Sequence, residues 1–221
     1  MRSRYYWHAK LRLDSGYRGL TLFGIMAKLL SPDLEGRLLD ALSHDDSDAA
    51  IAVMREYEPG WGDGKPGDPF NMPVNPVLFR LIMIATPPQI ERFNEEQRRQ
   101  LRAAAVMQEI LGSERGSERW LPQDVPWTSR DEGLTAIRMC FFWARSAEDL
   151  VKAERLGYTK KRVLGDDHEA DPGYARCPYC VSIRSRGFID IHAEFEPGVK
   201  FPPFRGCTHP RYACRCDMEF R

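Results

Sequence analysis

SRDEGLTAIRMCFFWARSAEDLVKAERLG, residues 129–157, is the stretch on which the reading of this chain turns. Ser129 with Glu132 three residues later has the form of a capping box, in which the serine oxygen takes an orphan N–H of the first helical turn. Leu134, Ile137, Cys140, Phe141, Ala144, Ala147, Leu150, Val151 and Leu156 then recur at helical spacing, and Gly157 supplies the left-handed residue that stops a helix. The pattern predicts a long amphipathic helix from about Glu132 to Leu156. Cys140 falls on its apolar face and reads as a small core residue rather than a reactive thiol.

Upstream the chain also reads as helices. Residues 20–30 are apolar nearly all round and suggest a buried helix, after which Ser31-Pro32 gives an N-cap and a proline at the first helical position. Leu34, Leu38, Leu39 and Leu42 mark the face of the next helix, and Ile51, Val53, Met54 and Tyr57 that of another beginning after Asp45-Asp46. Asn75-Pro76 predicts a short apolar helix to about Ala85. Thr86-Pro-Pro-Gln89 has the form of a second capping box and predicts a long helix from there to about Leu111, whose interleaved Arg and Glu residues suit a solvated or partner-facing surface.

Two segments resist regular structure. Residues 58–76 are dense in proline and glycine, and the glycines lack the order of a phosphate-binding loop. Trp61 and Phe70 in this loop are candidate partner contacts, or else fold back on the loop's own side chains. Residues 112–130 are polar, with Trp120 and Trp127 beside prolines, and read as a linker. The expected organisation is therefore a helical N-terminal domain at 1–111, a linker at 112–130, and at 131–221 the long helix with a small β module. The expected fold class is mainly α, with a small zinc-stabilised α+β C-terminal domain of a long helix and short β-hairpins.

The chain of 221 residues carries 32 Lys+Arg and 32 Asp+Glu, which argues against a protein held on nucleic acid or on an acidic membrane by bulk charge. No stretch reaches the length of apolar residues that a membrane span needs, and the N-terminus has no apolar signal region, so no membrane partner and a cytosolic setting are expected.

The six cysteines are unevenly placed, since all but Cys140 lie beyond residue 176. Cys177-Pro-Tyr-Cys180 is a C-x-x-C hook between expected strands at Tyr158 to Leu164 and Phe188 to Ile191, and Cys207-Thr-His209 and Cys214-Arg-Cys216 follow. Two short hooks brought together by a hairpin supply the four soft or borderline ligands that Zn²⁺ takes in a tetrahedron, and clustered cysteines in a chain without a signal peptide favour such a site over disulfides. Cys177 and Cys180 form the first pair and His209 with Cys214 the preferred second pair. Cys207 and Cys216 are alternates, because a C-x-C presents both sulfurs to one ion only with backbone strain. Redox or disulfide use of the same cysteines is the competing reading. Thioredoxin-like chemistry, however, expects the hook at a helix N-terminus, which the flanking residues do not suggest. A closed four-ligand shell stabilises a small domain and activates no water, so no catalytic residues are expected.

From Ser129 to Asp217 the order of features resembles the Mu-F-like family of phage minor head proteins, also called phage head morphogenesis proteins. The resemblance rests on the helix 132–156, the strand 158–164, Asp166-Asp167, Cys177-Pro-Tyr-Cys180, Phe188-Ile-Asp190, Pro202-Pro203, His209-Pro210 and Cys214-Arg215-Cys216. It implies a minor virion component of a tailed bacteriophage, at or near the portal vertex and in host cytoplasm during assembly. Its partners would be portal, capsid or neck proteins in a multi-copy assembly, with packaged DNA as a further contact. It would act in head assembly or in DNA packaging and ejection, with one structural Zn²⁺ holding a rigid C-terminal scaffold.

Two rivals carry weight. A cellular zinc-ribbon adaptor would bind nucleic acid through Arg176, Arg184, Arg186, Lys200, Arg205, Arg211 and Arg215, with Tyr179, Phe201 and Tyr212 interleaved as stacking platforms. An enzyme would use Asp166, Asp167, His168 and Glu169 beside a catalytic metal.

Overall fold

The computed structural model describes residues 31–57, 76–111, 121–164, 178–207 and 216–221. The apolar segment 20–30 and the loop with Trp61 and Phe70 lie outside them. Among the described residues the chain is mainly helical, with one small antiparallel sheet at its C-terminal end.

Helix α1, Pro32–Ser43, begins as its sequence dictates, with Pro32 at the first position and the Ser31 hydroxyl accepting from Leu34 N at 3.3 Å. Asp45 turns the chain with φ of 55°, and α2, Ser47–Tyr57, starts where Asp46 Oδ1 accepts from Ala49 N at 2.9 Å. The guanidinium of Arg37 grips both Glu56 oxygens, at 3.0 and 2.7 Å, and so ties the two helices together. Helix α3, Pro76–Met83, buries Leu78, Phe79, Ile82 and Met83, while Arg80 reaches Asp48 at 2.7 Å.

The next helix departs from expectation at its start. Pro88–Ile90 forms only a single 3₁₀ turn, and α4 runs from Glu95 to Leu111. Tandem prolines remove two backbone donors, and the helix restarts where Asn94 and Gln97 cap each other. Asn94 Oδ1 accepts from Gln97 N at 2.9 Å, and Gln97 Oε1 accepts from Asn94 N at 3.2 Å.

Helix α5, Arg130–Arg155, is the expected long helix and is about 39 Å long at 1.5 Å per residue over its 26 residues. Ser129 Oγ accepts from Glu132 N at 3.2 Å. The Glu132 carboxylate turns back not to Ser129 but to the amide and hydroxyl of Thr128, at 2.7 Å each. Gly157, with φ of 78°, ends the helix as predicted, and Tyr158 N closes the last turn on Ala153 O at 3.1 Å.

The first half of α5 completes the helical core. Ala136, Ile137, Cys140, Phe141 and Ala144 share one contiguous cluster with Leu38, Phe79, Ile82, Leu101 and Val106. Residues 121–129, expected as the end of a linker, lie against this core. Val125 is buried in it, the Phe93 and Trp127 rings stand 5.3 Å apart, and Trp127 Nε1 donates to Pro122 O at 3.0 Å. The Leu121 side chain closes over Gly133, where an added methyl group would sit 2.6 Å from its end. The helix thus begins in one core and ends, at Leu150 and Ala153, in another.

That second region is built on three strands in the order β2, β1, β3: β1 is Lys160–Leu164, β2 Ile189–Asp190 and β3 Asp217–Phe220. β1 pairs antiparallel with both neighbours, so that Lys161 faces Ile189 on one side and Phe220 on the other. The short helix α6, Pro178–Arg184, packs near β1. Strand β3 has only Met218 and Phe220 as apolar residues, too brief a signal to be predicted from the sequence. Among the described residues no helix is long and apolar enough to cross a membrane.

Candidate metal centre

The C-x-x-C hook opens α6. Cys177 stands just before Pro178, the first residue of that helix, which corrects the expectation that the hook lies away from a helix N-terminus. The helix has only seven residues and no capping box, which is why pattern reading missed it. Cys180 points into an apolar cluster with Val163, Ile183, Phe195, Val199 and Phe204.

Cys207 and Cys216, ranked as alternates from spacing, are half-buried and both pack against this cluster. Both also pack against Met139 on α5, as does Phe142. Cys207 and Cys216 thus border Met139 on α5 as well as the cluster that holds Cys180. Of the other expected ligands, Cys177, His209 and Cys214 lie outside the described residues, as do Asp166, Asp167, His168 and Glu169. Among the described residues no three His, Cys, Asp or Glu side chains are close enough together to hold a metal ion.

A polar frame fixes the Cys180 cluster. The Tyr179 hydroxyl donates to the buried Glu196 carboxylate, whose other oxygen accepts from Arg205 N at 2.6 Å. This hydrogen bond, with burial and the nearby negative charge, raises the phenol above its ordinary range. Gly206 lies flat on the Tyr179 ring, so close that a methyl group would stand 2.4 Å from it. The residue before Cys207 thus touches the residue before Cys180, which brings the hook and the later cysteine segment into direct contact. Phe195 and Phe204 meet edge to face at 5.6 Å beneath them.

The same segment is stitched to the helical part. Gln89 Nε2 donates to Phe204 O at 2.8 Å, and Arg205 Nη2 reaches Glu91 Oε1 at 2.7 Å. The 3₁₀ turn after α3, which replaces the expected start of a helix, is what presents Gln89 and Glu91 to the module.

Several residues of the nucleic-acid reading are engaged inside the protein. Arg186 donates to Phe195 O, Arg205 to Pro197 O as well as to Glu91, and the Phe201 ring packs on Trp143 at 5.2 Å. Arg176, Arg211, Tyr212 and Arg215 lie outside the described residues. Cys140 is fully buried, and burial pushes its thiol up to about 12, with the Arg102 guanidinium only partly opposing this. It is a core residue.

One buried group had no signal in the sequence. Lys161, in Lys-Lys-Arg-Val-Leu, reads as a solvated strand residue but is fully buried, and its Nζ has no hydrogen-bond partner among the described residues. No family model, curated protein or solved structure matches the chain.

Proposed function

We propose that this chain is a minor structural protein of a tailed-phage head, at or near the portal, acting in head assembly or in DNA packaging and ejection through protein contacts. It is not an enzyme in this reading. Its partners are portal, capsid or neck proteins, with packaged DNA as a further contact, in a multi-copy assembly that forms in host cytoplasm and remains in the virion. The observation that carries the reading is the order of the C-terminal region: long helix, short strand, hook, turn and cysteine-rich close, with Cys207 and Cys216 packed against the cluster that holds Cys180.

In the same proposal one structural Zn²⁺ fastens the module. Cys177 and Cys180 supply one pair. The second pair comes from His209 and Cys214, with Cys207 and Cys216 as alternates; Cys180, Cys207 and Cys216 do not themselves form a three-ligand group. Thiolates at such positions would fix α6 and β3 against α5 without offering an open coordination position. The zinc-ribbon adaptor is less well supported, because Tyr179, Arg186, Phe201 and Arg205 already have internal partners.

Quantitative mass spectrometry of purified particles from the phage that encodes the chain tests the reading. A few copies per particle, with an amber mutation giving heads that fail to package or eject DNA, are expected. Absence from purified particles together with normal plaque yield would overturn it.

A further inference from the structure

A lysine in the middle strand of a small sheet is normally solvated at its tip. Lys161 is not, being fully buried in β1 between Ile189 of β2 and Phe220 of β3. Its Nζ has no hydrogen-bond partner among the described residues, and it stands over the face of the Phe195 ring at 5.5 Å. Among the described residues, the acidic groups that favour its charge, Glu154, Asp190 and Glu194, have other partners. Glu154 on α5 faces His192 at 3.4 Å, Asp190 at the end of β2 accepts from His192 N at 2.8 Å, and Glu194 accepts from Gly198 N at 2.9 Å. Lys200 opposes the charge from the following turn, and on β3 the nearest acid, Glu219, is paired with Arg162.

We infer that Lys161 is a protonation switch inside the C-terminal module: with a neutral amine the sheet packs as the structure shows, and the ammonium form loosens β1 from its neighbours and from the Phe195 cluster. The switch belongs to the sheet itself and does not depend on the phage or zinc reading. Burial, the leading cause, pushes the group from 10.5 down to about 8, with Lys200 adding to it and the rim carboxylates only partly offsetting it. The sign follows. The folded state holds its proton less tightly than the unfolded chain, so the cost is fully present below about 8, and stability is gained as the pH rises from there toward 10.5. At neutral pH the module therefore carries a buried charge whose cost is present nearly in full.

Urea unfolding of the full chain at pH 7 and pH 9.5, followed by tryptophan fluorescence, compares wild type with Lys161→Met. The wild-type unfolding constant should fall roughly 30-fold more between the two pH values than that of the variant, since other titrating groups are common to both. Equal pH dependence in the two proteins would overturn the inference. Should Lys161→Met not fold, the ε-carbon resonances of wild-type lysines decide. One lysine titrating near 8 upholds the switch, and lysines that all titrate above about 10 refute it.

Discussion

The two regions that share α5 are held together by different means. The helical part has one contiguous core that runs through α1 to α4 and the first half of α5, and its largest buried side chains include Phe79, Leu101 and Ile137. The C-terminal part divides its apolar residues among a cluster around Phe195 and Phe204, a second around Leu150 and Met218, and a patch at Met139. It also buries Glu196 and Lys161. A region with so little continuous core needs fastening from elsewhere, as small domains generally do. The hydrogen bonds of Tyr179, Glu196 and Arg205 and the seam to Gln89 and Glu91 are such fastenings.

The contrast can be broken first in the helical core. Phe79→Ala should destabilise the chain by about 3–5 kcal/mol in urea unfolding, because it empties a fully buried site among four helices. The cost should be the same with or without a chelator. Next comes the module's tightest contact. Gly206→Ala forces a methyl into the Tyr179 ring and should cost about 1–3 kcal/mol, an effect that disappears in a Tyr179→Ala background. If the penalty persists there, the close approach is not what fixes the hook against the cysteine segment.

Smaller effects sharpen the account of the helices. Asn94→Ala removes the cap that restarts the chain after the prolines and should cost about 1 kcal/mol, read from the shift in urea midpoint. At the start of α5, burial alone would raise the Glu132 carboxyl, but its hydrogen bonds from Thr128 and the Arg92 guanidinium outweigh this and hold it below its ordinary 4.5. That contribution is present above about pH 4.5 and is lost as the pH falls through the lowered value, so Glu132→Gln should flatten the acid limb of a melting-temperature profile. Glu56→Gln, at an exposed ion pair, should leave the melting temperature unchanged within measurement.

Most of the helical part could be read from the sequence, for reasons visible in single residues. Ser31-Pro32, Ser129 with Glu132, and Gly157 are local signals whose hydrogen bonds do not depend on distant partners. The start of α4 falls later than the sequence suggests, because the tandem prolines after Thr86 supply no backbone donors whereas Asn94 and Gln97 cap each other. In the C-terminal part the elements are shorter than a pattern can resolve, as α6 and β3 show. Spacing ranks the cysteines, and it carries no information about Met139 on α5, against which Cys207 and Cys216 both pack. Lys161 was illegible for the same reason, since nothing in Lys-Lys-Arg-Val-Leu says which lysine faces Phe195.

The most direct test of the difference between the regions is the zinc content of protein purified under reducing conditions, with thermal melting before and after chelation, for wild type and Cys180→Ser. The account predicts one zinc per chain in the wild type, lost in the variant, with chelation lowering the melting of the C-terminal module while the helical transition stays in place. A metal-free wild type whose melting ignores chelator, or one whose thiols are quantitatively paired as disulfides, would contradict it.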